Sequence, residues 1–231
     1  MALIIRIDVD RPYGRRPLAR HLLSRVSSDL YFPKVGAFGF LAELQTMLNW
    51  LNEAGARAYV FFRRCTLPSA SVLELLAAGR HEIGLHLENS RSFETFREEV
   101  RIVEDHFGKP VLALSKHGSG HSKFGFHHYA PYEPERYIDW ARRTAMRIFL
   151  GNLEDPTIEP IKPDNHLLVF PSAFWLEPQW RDTRKFSADW LLERARQQDT
   201  VLLVHPENVL ADAVLVGDFK KLIRTLDSRV I

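Results

Sequence analysis

One segment constrains this chain more than any other: the apolar run from Leu3 that ends in Asp8 and Asp10. In a strand, residues two apart point the same way, so the two carboxylates share one face at the C-terminal end of the strand. Two like charges that close need a cation beside them, or one must hold a proton. Capping a turn needs one carboxylate, not two on one face. A divalent metal ion is therefore the simplest partner.

Six further apolar runs, 58–62, 82–86, 111–114, 147–150, 167–170 and 201–205, join residues 3–7 as expected strands. They are nearly continuous in hydrophobicity, as strands buried on both faces are. Helical spacing falls between them, in Phe40, Leu41, Leu44, Leu48 and Leu51 and again in Phe93, Phe96, Val100, Val103 and Phe107. Ser71 to Glu74 reads as a capping box, Gly79 as a stop, Pro134 as a start and Ser187 as a cap. Phe219, Leu222, Ile223 and Leu226 mark a last helix. Strand–helix alternation predicts an α/β fold on parallel strands. With 231 residues, 45% of them hydrophobic, the chain is expected to be one domain, 1–231. Residues 115–133, rich in Gly, His, Ser and Tyr, and residues 151–166 lack periodicity and are expected to be loops, the first a functional one.

Thirty-one basic and 29 acidic residues leave a net charge of +2 with no charge run, which implies no nucleic-acid partner and no membrane patch. Arg11, Arg15 and Arg16 form a local basic cluster, a solvated loop or a greeting for an anion. Cys65 is the one cysteine, so no intrachain disulfide forms. No apolar run reaches the ~20 residues of a membrane span, and nothing ahead of the Asp pair reads as an export signal. A soluble, cytoplasmic protein is expected.

In a parallel barrel, active sites gather where the strands end. The expected ends bear Asp8 and Asp10; His86 and Glu88; Ser115, Lys116 and His117; Asn152, Glu154 and Asp155; and His205 and Glu207. A barrel interior packs with apolar side chains, so titratable groups at this many ends point to chemistry. His81, five residues before His86, projects from the opposite face of its strand, and His127 and His128 are expected at the loop surface.

In this order the elements resemble the NodB-like polysaccharide deacetylases, carbohydrate esterase family 4. Gly79-Arg80-His81-Glu82-Ile83-Gly84-Leu85-His86 is similar to that family's segment ending in a metal-binding His, and Val201 to Pro206 to its last motif, a strand ending in a catalytic His. Phe107-Gly108-Lys109-Pro110 also looks like the run before its third motif. The resemblance implies a distorted (β/α) barrel of about seven mostly parallel strands. It implies Asp8 as catalytic base, Asp10 and His86 as metal ligands and His205 as the acid. The chain departs from the pattern twice. Ser90 stands where a second His is usual, and Ser115-Lys116-His117-Gly118 replaces an Arg motif. Glu88, His117 and His121 are the candidates for the third ligand, with His117 favoured. Lys116 is expected to stabilise the oxyanion or to replace the missing Arg. Glu88, Ser90, His121 and Trp175 are expected to meet substrate.

The function implied is metal-dependent removal of an N-acetyl or related acyl group from a carbohydrate, with surface-polysaccharide biosynthesis as one setting. Zinc is the expected ion, and nickel, cobalt and manganese also suit mixed nitrogen and oxygen ligands. Two alternatives stay open: a hydrolase of another non-peptide C–N bond in a small amide, ureide or imide, with or without metal, and a non-catalytic carbohydrate-binding protein. The sequence does not specify an oligomeric state.

Overall fold

A computed structural model describes residues 2–15, 17–164 and 166–230. Arg16 of the basic cluster lies outside the described residues. Among the described residues nine strands form one sheet: β1 Leu3–Val9, β2 Ala58–Phe62, β3 Glu82–Leu87, β4 Ala113–Lys116, β5 Ile148–Leu153, β6 Ile161–Asp164, β7 Leu167–Ser172, β8 Phe174–Trp175 and β9 Thr200–Val204. Their order is β6-β7-β5-β4-β3-β2-β1-β9-β8. Every pairing is parallel except β6 with β7. A single residue, Ala173, separates β7 from β8, so the chain itself draws the two ends of the parallel sheet together into a nearly closed barrel of eight parallel strands.

Among the described residues eight α-helices accompany the strands: α1 Leu18–Leu30, α2 Ala42–Ala54, α3 Ala70–Ala78, α4 Phe93–Phe107, α5 Pro134–Arg142, α6 Ala188–Gln197, α7 Pro206–Val209 and α8 Ala213–Thr225. Gly108 ends α4 in the left-handed region at φ 65°, where glycine carries no Cβ penalty. Ser187 caps α6 by accepting from the Trp190 N–H. The capping box expected at Ser71 does not form: α3 begins two residues earlier, after Ser69.

The sequence underestimates the strand count by two. Strand β6 holds Pro163, which ordinarily argues against a strand. It is tolerated because β6 lies at the sheet edge and pairs on one side only. Strand β8 has two residues, too short to show a period.

Alternation along the strands sorts side chains into two layers. Leu3, Ile5 and Ile7 of β1, Val60 and Phe62 of β2 and Leu85 and Leu87 of β3 join the large core that includes the helices. Ile4, Tyr59, Phe61, Ala113, Ile148, Leu150, Val201 and Leu203 form a second cluster on the other face, inside the barrel. That inner row continues toward the strand ends as Arg6 and Asp8, His86, Ser115, Asn152 and His205. Period-two geometry thus makes the barrel apolar at its floor and polar at its mouth.

Candidate active site

At the mouth, Asp10, His86 and His117 converge. Asp10 Oδ1 lies 3.0 Å from His86 Nε2 and 2.9 Å from His117 Nδ1, and the two nitrogens are 3.3 Å apart. Despite these distances, Asp10 Oδ1 is buried and takes no hydrogen bond of acceptable geometry. Ligand atoms about 3 Å apart are what a shared ion with bonds of about 2.1 Å brings together. The donor set, one carboxylate and two imidazoles on three different strand ends, therefore fits a divalent cation. His86 Nδ1 meets Ser115 Oγ at 2.7 Å, level with it across β3 and β4, which fixes the ring and leaves Nε2 facing the cluster. Burial drives His117 well below its usual pKa against the pull of Asp10 and keeps the imidazole in its ligating, neutral form. Burial opposes ionisation of Asp10, but His117, His86 and His205 outweigh it and hold the carboxyl well below its usual range.

Two buried pairs flank the cluster. Arg6 Nε and Nη2 grip Asp8 Oδ1 and Oδ2 at 2.9 and 2.6 Å. The rest of the guanidinium donates to the Leu150 and Gly151 carbonyls and to Asn152 Oδ1, each at 2.8 Å. Asp8 comes within 3.6 Å of His86 Nε2. On the opposite side, Glu177 Oε1 accepts from His205 Nδ1 at 2.8 Å, from the His205 backbone N–H and from Asn208 Nδ2. His205 Nε2 then faces Asp10 Oδ2 at 3.7 Å. Burial works against charging His205, but Glu177, with Asp10 and Asp8 behind it, outweighs burial and pushes its pKa up to about 10.

Behind the cluster, Arg63 donates to the Asp10 carbonyl at 2.6 Å and pairs with Glu88, so it holds the backbone that presents Asp10. Glu88 is therefore a buried structural partner of Arg63, not the substrate contact expected. Ser90 is also buried, 3.3 Å from the Tyr137 hydroxyl and away from the pocket. His121 is exposed and outside the pocket lining. Lys116 falls in the outer row of β4, so its ammonium reaches the site from behind, donating to the His117 carbonyl at 2.6 Å and standing 3.3 Å from His128 Nε2. Burial pulls that ammonium down to about 7 against Glu99 and Glu88. The geometry suits holding His117 rather than meeting an oxyanion. His128, expected at the surface, is buried between Lys116 and the His117 carbonyl, because the loop folds back over the strand ends. His81 bonds Ala58 and Asn52, away from the cluster. Trp175 lines the pocket beside His205 and Trp180, with its indole N–H unpartnered.

Arg6, Arg63 and Glu177 were not singled out from the sequence. For Arg6 the signal existed: an arginine inside an apolar strand, two residues from Asp8, has to find a buried acid. Glu177 is 28 residues from His205 in a stretch without period, and nothing local marks it.

No family model matches the sequence, and no curated protein matches it. Solved structures do match. Over 96% of this chain and 82% of the other, it is similar to Puue allantoinase, with 11% identity and a TM-score of 0.59. Over 96% and 83%, it is similar to a probable polysaccharide deacetylase from Pseudomonas aeruginosa PAO1, with 13% identity and a TM-score of 0.55. The chain has the NodB-type (β/α) barrel fold. A putative glycoside hydrolase/deacetylase from Parabacteroides distasonis shares that fold at 9% identity and a TM-score of 0.55, covering 97% of this chain and 66% of the other.

Proposed function

We propose that the protein is a metal-dependent hydrolase that removes an N-acyl group from a carbohydrate. The observation that carries this reading is the set of buried polar groups at one mouth: Asp10, His86 and His117 about 3 Å apart, with the Arg6–Asp8 and Glu177–His205 pairs on either side. A divalent cation held by Asp10, His86 and His117 would supply Lewis-acid chemistry toward water and an acyl carbonyl. Asp8, oriented by the fork of Arg6, is placed to take a proton from the attacking water. His205, held by Glu177 and protonated at neutral pH, is placed to deliver a proton to the departing amine. Lys116 and Arg63 fix the positions of His117 and Asp10. Trp175 and Trp180 line a cavity of about 260 Å³ with Asn208, and the free Trp175 N–H is a donor for a sugar oxygen. A cavity of that volume suits the acyl-bearing residue of a glycan.

The test is release of acetate from N-acetylated sugars by the purified protein, before and after chelation and after zinc, nickel, cobalt or manganese is restored. Loss on chelation with recovery on metal supports the reading. A second reading, hydrolysis of a small amide or ureide, is favoured by the fold shared with an allantoinase and by the same cavity size. Full turnover after chelation would move the assignment there, and binding without turnover would leave a carbohydrate-binding protein.

A further inference from the structure

Helix α1 is inside out. Its buried residues are Ser24 and Ser27, and Ser24 Oγ accepts from the Tyr13 N–H and donates to the Gly14 carbonyl. Of its large apolar side chains Leu23 packs against the core, and the others face outward: Leu18 is 71% exposed, Leu22 55%, Val26 46% and Leu30 69%. Four-residue spacing puts these side chains on one slowly turning stripe. A second apolar group joins the stripe at its C-terminal end. Asp29 Oδ1 accepts from the Phe126 N–H and the Asp29 carbonyl meets His127 Nε2, which ties the 118–128 loop to the helix. Phe124 and Phe126 on that loop, and Phe32 just beyond α1, are more than half exposed. Seven of the twelve exposed large apolar side chains among the described residues thus lie on α1 or directly against its end. Exposed leucines scattered singly need no explanation, but a contiguous apolar stripe marks an interaction surface.

The stripe adjoins the mouth of the active-site cavity. His21, Ser24, Arg25, Ser28 and Asp29 line that cavity from α1. At 100° per residue they occupy the face next to the stripe. The shared rim is basic: Arg15, Arg25 and Lys123 are exposed and line the cavity, whereas Asp29, the one acid on this rim, is engaged with the loop. We propose that α1 and the Phe124–Phe126 loop form a docking face for an anionic lipid surface, laid so that the cavity opens against it. Apolar side chains flanked by cations are the composition of an interfacial helix. Charge decides between lipid and a second copy of the chain. A two-fold self-contact through this stripe would bring the rim of Arg15, Arg25 and Lys123 against its own copy, and like charges facing each other oppose association.

The experiment is co-sedimentation with phosphatidylcholine vesicles, plain or containing roughly 30% phosphatidylglycerol, at low and high salt. Each basic residue at such a surface is worth about fivefold in partitioning, so three predict a preference of about 100-fold for the anionic vesicles, reduced by salt. Leu22→Gln with Val26→Gln, both outside the cavity lining, lowers partitioning at least about tenfold. Metal content and hydrolysis of a water-soluble substrate stay as in the wild type, so failure of docking and failure of the proposed chemistry are separable. Equal partitioning to plain and anionic vesicles, or none to either, overturns the proposal. So does a dimer in sedimentation equilibrium that the double variant converts to monomer, since the stripe is then a self-interface.

Discussion

Replacing Arg6 with Met is the sharpest perturbation of the architecture described above. Arg6 has no exposed surface, and its guanidinium makes five contacts, two to Asp8, one to Asn152 and two to backbone carbonyls. Met fills a similar volume but leaves Asp8 as a buried carboxylate with no cation. Breaking one side of a buried, hydrogen-bonded ion pair costs about 3–5 kcal/mol. For a chain of this size that lowers Tm by about 10 °C, at about 2–4 °C per kcal/mol. Asp8→Asn costs a comparable amount, because it leaves the buried guanidinium with neutral acceptors and no anion. The double variant is expected to lose less than the sum of the singles by about 2 kcal/mol, since neither charge is then stranded. Arg6→Lys does not rescue, as a single ammonium cannot grip both carboxylate oxygens and two carbonyls. Urea unfolding of the four proteins measures the coupling. Strict additivity would refute the claim that Arg6 and Asp8 form one unit.

Glu177→Gln keeps the shape around His205 but removes the charge that sustains its imidazolium, so kcat falls about 100-fold or more while KM and bound metal change little; a KM effect alone would assign Glu177 to substrate binding. His81 is buried, its Nδ1 accepts from the Ala58 N–H, and burial, helped by Arg57, lowers its pKa to about 4 from 6.5. The native state therefore binds this proton less readily than the unfolded chain. Stability is full above pH 6.5 and lost as pH falls toward 4, by about 3 kcal/mol over the window. His81→Asn, which keeps an acceptor for Ala58 and does not titrate, should flatten that limb in urea titrations; an unchanged limb contradicts the assignment.

Much of this barrel mouth is legible in the sequence because strand geometry has period two and the barrel places chemistry at strand ends. Asp8, Asp10, His86 and His205 each sit at or just beyond the end of an apolar run, so their convergence could be expected. His117 was one of three candidates, and only the fold-back of its loop shows that it, rather than Glu88 or His121, stands 2.9 Å from Asp10. Glu88, Ser90 and Lys116 misled for a common reason: position near a strand end does not reveal which row a side chain joins or which buried partner claims it. Arg63 claims Glu88, Tyr137 receives Ser90, and the His117 carbonyl takes Lys116. Helix α1 escaped notice because Ser24 and Ser27 turn inward while Leu18, Leu22 and Leu30 turn outward, opposite to the pattern that identifies a core-facing helix. Strand β6 was hidden by Pro163, whose missing N–H matters little at an edge.

The proposed chemistry stands on one ion joining Asp10, His86 and His117. Metal analysis of protein purified without a chelating tag, paired with zinc titration calorimetry of the apo form, tests it most directly. One divalent ion per chain is expected in the wild type, with a loss of affinity of at least about 100-fold in Asp10→Ala, His86→Ala and His117→Ala, each still folded by circular dichroism. Wild-type affinity retained in His117→Ala would contradict the assigned ligand set, and no metal bound by the wild type would contradict the site itself.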